Sequence, residues 1–258
     1  MEKPDNYLVP EDEITGRSYV SEIVRRDYRT ALVFRRHGIA YCCGAKFPLE
    51  MVCASKNLDT NVLLEELNRS SRTIHISSSI RFEDWDPSFL SEYIVQVHHA
   101  YLKTNLPVAV ETLEQFSEGH VKKFSYLNDL VSEFSRVAGE LLKHLHYEEE
   151  VIFPYIKQVA HAHRSKESYA GLLVRTLSKP VADMMRNDHL FVEEGLARIR
   201  AITDNYNLPQ NACASHRVSI LMLGEIDGDI RQHLYLENDI LFPAAIRMEK
   251  ELLAANNH

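Results

Sequence analysis

The residues with the clearest capacity for chemistry sit in two matching stretches. His144-Leu145-His146-Tyr147-Glu148-Glu149-Glu150-Val151-Ile152-Phe153-Pro154 aligns without a gap on His233-Leu234-Tyr235-Leu236-Glu237-Asn238-Asp239-Ile240-Leu241-Phe242-Pro243. Each copy carries a Glu four residues after its His: Glu148 after His144, and Glu237 after His233. Positions i and i+4 stack on one face of a helix, so each copy offers an imidazole nitrogen and a carboxylate to one point in space. Two such helices, face to face, would gather two His and two Glu around a common centre. That is the donor set of a metal site.

Helices must position these groups, and the chain has them. Four long tracts of helical spacing are expected at about residues 88–118, 124–159, 178–202 and 215–253. The second and fourth carry the two copies. The third carries His189 among Met184, Met185, Phe191 and Leu196, and the first carries the pair His98-His99. Pro107 is expected to kink or break the first tract. The connections after Val159 and Ile202 are polar and contain Gly or Pro, which suits an up-down-up-down bundle. Upstream, Val20, Ile23, Val24, Tyr28, Leu32 and Val33 recur at helical spacing, as one bent helix or two short ones ending near Gly38. A short helix through Met51 and Cys53 follows, then a run over Val62–Leu67 capped by Asp59 or Thr60. The expected organisation is a small helical domain at 1–70, a Ser-rich linker at 71–86 ending in a helix start at Asp86-Pro87, and the bundle at 87–258. The fold class is all-α.

Bulk properties set limits. Apolar residues make up 45% and charged residues 26%, as in ordinary globular proteins, and the formal charge of −8 gives no footprint for nucleic acid or an anionic membrane. The N-terminal stretch is polar and no apolar run approaches membrane-spanning length, so neither a signal peptide nor an anchor is expected. Four Cys, two of them adjacent, do not make a disulfide framework, and a cytoplasmic location is the expectation.

The metal reading competes with a plainer one. Thirteen His are present, and His75, His161, His163, His216 and His258 lie in polar or terminal stretches where no site is expected. A single His on an apolar helix face is more often a hydrogen-bonded core residue, and one His-x-x-x-Glu pair is often a surface contact. Two copies at matching positions, each leading into an apolar pair and Phe-Pro, are harder to assign to chance. Imidazole with carboxylate suits iron, and zinc would not need a second, carboxylate-bridged ion. For the first tract the periodicity leaves both neighbours open: Val95, Leu102 and Leu106 place His99 inward, whereas Leu90, Ile94 and Tyr101 allow His98. Glu140, one turn before His144, shares its face and is a candidate supporting or channel carboxylate. Cys42-Cys43, in a turn-like Tyr41-Cys42-Cys43-Gly44 segment, suits thiol redox work or transient binding of iron or a cluster, or else is two small buried residues. Cys53 and Cys213 read as structural.

Taken together, Tyr41-Cys42-Cys43-Gly44, a His near Leu106-Pro107, His-x-x-x-Glu-Glu-x-x-x-Phe-Pro, an acidic-His pair and His-x-x-x-Glu-Asn-x-x-x-Phe-Pro resemble the iron–sulfur cluster repair di-iron proteins over nearly the whole chain. This chain departs from the commonest pattern in having Ala45 for a second Gly. The resemblance implies a hemerythrin-like four-helix bundle preceded by a small N-terminal domain, and two iron ions joined by an oxo or hydroxo group. It places the bridging carboxylates on Glu148 and Glu237 and the terminal ligands on His144, His189 and His233, with His99 favoured over His98 by its spacing from Leu106-Pro107. His120 matches another His frequent in the family. The resemblance also implies repair of clusters damaged by nitrosative or oxidative stress, with iron donated from the centre and Cys42 and Cys43 as a redox or iron relay. Partners would be proteins with damaged clusters, with nitric oxide or dioxygen as small ligands, and the chain would be a homodimer through its N-terminal module. Two other functions fit the same bundle: a nitric oxide reductase, and a hemerythrin-like binder or sensor of dioxygen or nitric oxide, which a fifth His ligand such as His120 would favour.

Overall fold

The computed structural model describes residues 14–42, 47–71, 80–166, 174 and 181–255. Cys43, most of the Ser-rich linker and the first residues of the third tract lie outside the described residues. The chain falls into two compact units, one of Met1–His75 with Leu208–Met222, the other of Ile76–Asn207 with Leu223–His258.

Among the described residues up to Ser71 the first unit has four short helices: α1 (Val20–Arg26), α2 (Thr30–Arg36), α3 (Leu49–Ser55) and α4 (Thr60–Ser70). The stretch to Arg36 is thus two helices, and Gly38 ends it at φ +62°, a left-handed conformation that suits glycine. Asp59 caps α4, its carboxylate accepting from the backbone of Asn61 at 2.8 Å. Val20, Ile23, Val24, Phe34, Leu49, Cys53, Leu63 and Leu67 are buried. Each such aliphatic or aromatic side chain contributes roughly 1.5–3 kcal/mol by leaving water.

In the second unit Asp86 caps α5 (Pro87–Ile94), accepting from the Ser88 N–H at 2.9 Å, with Pro87 in the first turn. There follow α6 (Ala100–His120), α7 (Leu127–Tyr147), α8 (Phe153–Ser165), α9 (Val181–Ile202), α10 (Ala214–Tyr235), which belongs to this unit from Leu223 onward, and α11 (Phe242–Ala255). α7 packs on α6 and α9, and α8 packs on α5 and α11. Gly195 lets α9 approach α7 closely: a Cβ there would lie 2.3 Å from Val137 Cγ2. The expected break at Pro107 is absent. α6 runs through it, because Pro107 lies on the exposed face, where water can serve the carbonyl left without its helical donor.

Three of the tracts are each divided by a single π turn, at Val95–His99, Glu148–Ile152 and Leu236–Leu241. The N–H groups of Ala100, Phe153 and Phe242 close them by donating to the carbonyls of Val95, Glu148 and Glu237, five residues back. Such turns are rare, and each shifts the register of the helix on its C-terminal side against the helix on its N-terminal side. In the two copies the π turn is followed by Phe-Pro, so Pro154 and Pro243 stand second in α8 and α11, where a missing N–H is no loss. Leu90, Ile94, Ile152, Phe153, Ile156, Leu241 and Phe242 form part of a buried apolar cluster at this level of the bundle.

Candidate metal centre

Three of the residues that converge lie in the π turns, His99, Glu148 and Glu237, and three in helices, His144, His189 and His233. His144 ends α7 within four residues of Glu148, the first residue of its π turn, and His233 stands likewise before Glu237. All four are buried, as are His99 from the first π turn and His189 from α9. Their donor atoms form two sets, each within 4.8 Å: His99, Glu148, His233 and Glu237; and His144, Glu148, His189 and Glu237.

The carboxylates are shared by atom. Glu148 Oε2 lies 3.4 Å from His99 Nε2 and 3.7 Å from His233 Nε2, while its Oε1 lies 3.1 Å from His144 Nε2 and 3.9 Å from His189 Nε2. Glu237 Oε1 lies 2.9 Å from His233 Nε2, and its Oε2 lies 3.5 Å from His189 Nε2. Each Glu therefore turns one oxygen to each set. The paired imidazoles meet nitrogen to nitrogen, His99 to His233 and His144 to His189, both at 3.1 Å.

This arrangement asks for cations. All four carboxylate oxygens of Glu148 and Glu237 are fully buried without a hydrogen bond, and burying a carboxylate without a counter-charge costs several kcal/mol. Protons answer the same need: burial works against a charge on His233, yet Glu237 and Glu148 lift its pKa to about 10. His144 is raised too, where Glu148 outweighs burial, and burial of Glu148 is outweighed by His144 and its neighbours, which hold that carboxyl well below the usual range. Two ions, each facing two imidazoles and one oxygen from each Glu, fit the donor set; imidazole with carboxylate suits iron.

The remaining residues of the repeat hold the opposite histidines. Glu149, next after Glu148, accepts from His99 Nδ1–H at 2.8 Å and is itself paired with Lys103. Asn238, next after Glu237, accepts from His189 Nδ1–H at 2.8 Å. Both contacts leave Nε2 as the bare donor toward the centre. Phe153 stacks on His99, ring centres 5.5 Å apart at 26°, and Phe242 stacks on His189 at 6.0 Å and 21°. The two halves are thus related by a pseudo-twofold arrangement built from one repeated sequence.

Residues 92–245 match the family model described as Hemerythrin HHE cation binding domain, and residues 16–71 match one described as Domain of Unknown function (DUF542). Proteins named iron-sulfur cluster repair protein YtfE from Yersinia pestis (strain Pestoides F) and Yersinia pseudotuberculosis serotype O:1b are each 30% identical over 224 residues, 86% of this chain and 93% of theirs. The one from Yersinia pseudotuberculosis serotype IB is 30% identical over 220 residues. The chain belongs to the iron–sulfur cluster repair family.

For this family member the structure brings His99, His144, Glu148, His189, His233 and Glu237 to one centre. His98 is not in either set. It is buried beside the centre, with its Nδ1 3.0 Å from Asp229 Oδ1. His120 is not there either: it closes α6, about 30 Å along the helix from His99 at 1.5 Å per residue, and its Nδ1 meets the Phe116 carbonyl at 3.0 Å. Glu140 pairs with Lys143 and lines a cavity of about 400 Å³ with His144, Tyr147, Asp188, Phe191 and Val192. Cys42 is half-buried in the first unit. Sequence reasoning missed Glu149, Asn238, Phe153 and Phe242 as supports. The signal was present, since all four lie inside the aligned copies and only their partners on other helices were hidden.

Proposed function

We propose that this protein restores damaged iron–sulfur clusters by donating iron from a centre of two ions, one in each four-donor set, under nitrosative or oxidative stress. The observation that carries the reading is the sharing of Glu148 and Glu237, one oxygen of each to each set, with no hydrogen bond to any of those oxygens. When bound, the ions supply exchangeable iron and a redox couple. The side chains would do the holding: Glu148 and Glu237 would offer one oxygen to each ion, His99 with His233 and His144 with His189 would supply the imidazoles, and Glu149 and Asn238 fix the tautomers of His99 and His189. A site assembled from so few anionic groups keeps iron only while its histidines are unprotonated, which suits delivery. The cavity that touches His144 offers the acceptor side of the bundle a way to the ligands.

The same reading divides the work between a module at 1–70 and the bundle at 87–258, joined by 71–86, with Cys42 and Cys43 as relay. It has the protein act in the cytoplasm as a homodimer through the N-terminal module, on the strength of the family. Among the described residues no helix is long and apolar enough to cross a membrane. An oxygen carrier with a fifth His is disfavoured, because His120 is engaged with Phe116 at the far end of α6.

The test is anaerobic transfer of iron from the loaded full chain to a cluster-free ferredoxin supplied with sulfide. Cluster formation that is lost in the Glu148→Leu/Glu237→Leu protein supports donation. Sustained conversion of nitric oxide to nitrous oxide with the iron retained would make the protein a reductase, and reversible dioxygen binding with the iron retained would make it a carrier.

A further inference from the structure

Each of the four histidines in the pseudo-twofold arrangement needs an outer partner for the ring nitrogen turned away from the centre. His99 has Glu149 and His189 has Asn238. Toward His144 Nδ1, which has no hydrogen bond, Asp188, the residue before His189, turns its Oδ2 at 3.6 Å. The equivalent place on the other side is the residue before His99, which is His98. Its ring lies beside His233, centres 6.2 Å apart.

The hydrogen count at that place is one-sided on both rings. His98 Nδ1 faces the Asp229 carboxylate at 3.0 Å, and a carboxylate accepts, so the proton of a neutral His98 is on Nδ1 and Nε2 is a bare acceptor. That Nε2 is buried without a partner. With Nε2 of His233 given to an ion of the proposed centre, the proton of the neutral ring would sit on Nδ1, and Nδ1 is buried without a partner. A donor lacking an acceptor and an acceptor lacking a donor thus stand on neighbouring buried rings, and a direct bond or one bridging water would satisfy both. Tyr93 packs edge-on against His98 at 5.9 Å and fixes its plane. The π turn at Val95–His99 is what allows two consecutive histidines to be buried together, 2% and 0% exposed.

We propose that His98, held by Asp229, is the positioning residue for His233: Asp229 orients His98, and His98 accepts the Nδ1–H of His233, fixing the tautomer that presents Nε2 to iron. The chain runs carboxylate, imidazole, imidazole, and does for the first half of the centre what Asp188 does more weakly for the second. This inference rests on the proposed iron site.

The test loads the full chain with ferrous iron anaerobically and follows its loss to a chromogenic ferrous chelator in wild type, His98→Phe, His98→Gln and Asp229→Asn, with thermal unfolding of each metal-free protein alongside. Phe fills the space and removes the acceptor; Gln keeps an acceptor oxygen. Iron release should be 10–100-fold faster in His98→Phe, the span for loss of an outer partner, and restored to within a few-fold of wild type in His98→Gln. Asp229→Asn should fall between them. Metal-free His98→Phe should unfold cooperatively and above the assay temperature, lower than wild type by the lost bond to Asp229. Equal release from wild type and His98→Phe overturns the proposal, as does a Gln variant as leaky as Phe. Failure of wild type to hold iron at all would instead sink the iron site, and this inference with it.

Discussion

Glu149 and Asn238 occupy the same place in the two copies of the repeat, one residue after a Glu shared by both donor sets, and each accepts from the histidine on the facing helix at 2.8 Å. The geometry is the same and the charge is not. Behind His99 stands a carboxylate backed by Lys103, whereas behind His189 stands a neutral amide. The outer sides differ too: Asp188 lies near His144 at 54% exposure, while His98 is buried beside His233. The cavity touches His144 and none of the residues of the His99 half. An anionic partner raises the basicity of its imidazole and hence its hold on a metal. On the proposed function, the His99–His233 half should therefore be the tighter of the two, and the His144–His189 half the one to lose iron first. The twofold repeat holds in the ligands and fails in the groups behind them.

The largest effect should come from what the halves share. Glu148→Ala or Glu237→Ala should take bound iron from two ions per chain to none, whereas His189→Ala should empty only its own half; metal analysis distinguishes the two patterns. If Glu148→Ala kept one tightly held iron, the halves would not share it. Next come the supports that differ. Glu149→Gln should speed loss of the slower iron about 10–100-fold, and Asn238→Glu should slow loss of the faster one by a similar factor. Chelator kinetics that remain unchanged in both would leave the asymmetry without consequence.

Proton competition should sharpen the same contrast with a smaller slope. In the metal-free protein His233 is raised to about 10, so below that a proton competes with iron for its ring, and the rise at His144 acts in the same direction. Apparent iron affinity should fall as pH falls, by about tenfold per unit for each proton displaced. For the His233 half this slope should persist on the alkaline side up to about 10, and calorimetric titrations at several pH values would reveal a flat response if it does not. The smallest effect lies away from the centre. Arg136, with Arg198, outweighs partial burial to hold Glu133 below the usual carboxylate range. That contribution is present at neutral pH and lost as pH falls through the lowered value. Glu133→Gln should cost at most about 1 kcal/mol in denaturant unfolding and leave iron release in both halves as it was.

How far the amino-acid pattern could be read depended on whether a feature was local. The four tracts and the i, i+4 pairs are local, and they reappear with boundaries shifted by a few residues, as at Pro87–His120 and Leu127–Ser165. Asp59 and Asp86 cap where their side chains suggested. Helical spacing alone does not reveal the π turns. In the two copies Phe-Pro hints at them, because a proline needs a place in the helix where no donor is missed, but Val95–His99 has no proline near enough to give the hint. For that reason helical periodicity could not choose between His98 and His99: it assumes one register, and the π turn joins two, so both face inward. The partners of Glu149 and Asn238 come from helices about fifty residues away in sequence, and no spacing rule reaches that far. Pro107 misled in the other direction, since its effect depends on which face it occupies.

The most direct measurement is the iron content of the full chain from iron-replete cells, with Mössbauer spectroscopy of the iron-57 protein. The account predicts two irons per chain in two doublets of equal area, one for each half, and loss of both in Glu148→Ala. About one zinc with no iron, or a single iron whose signal survives in Glu148→Ala, would contradict it.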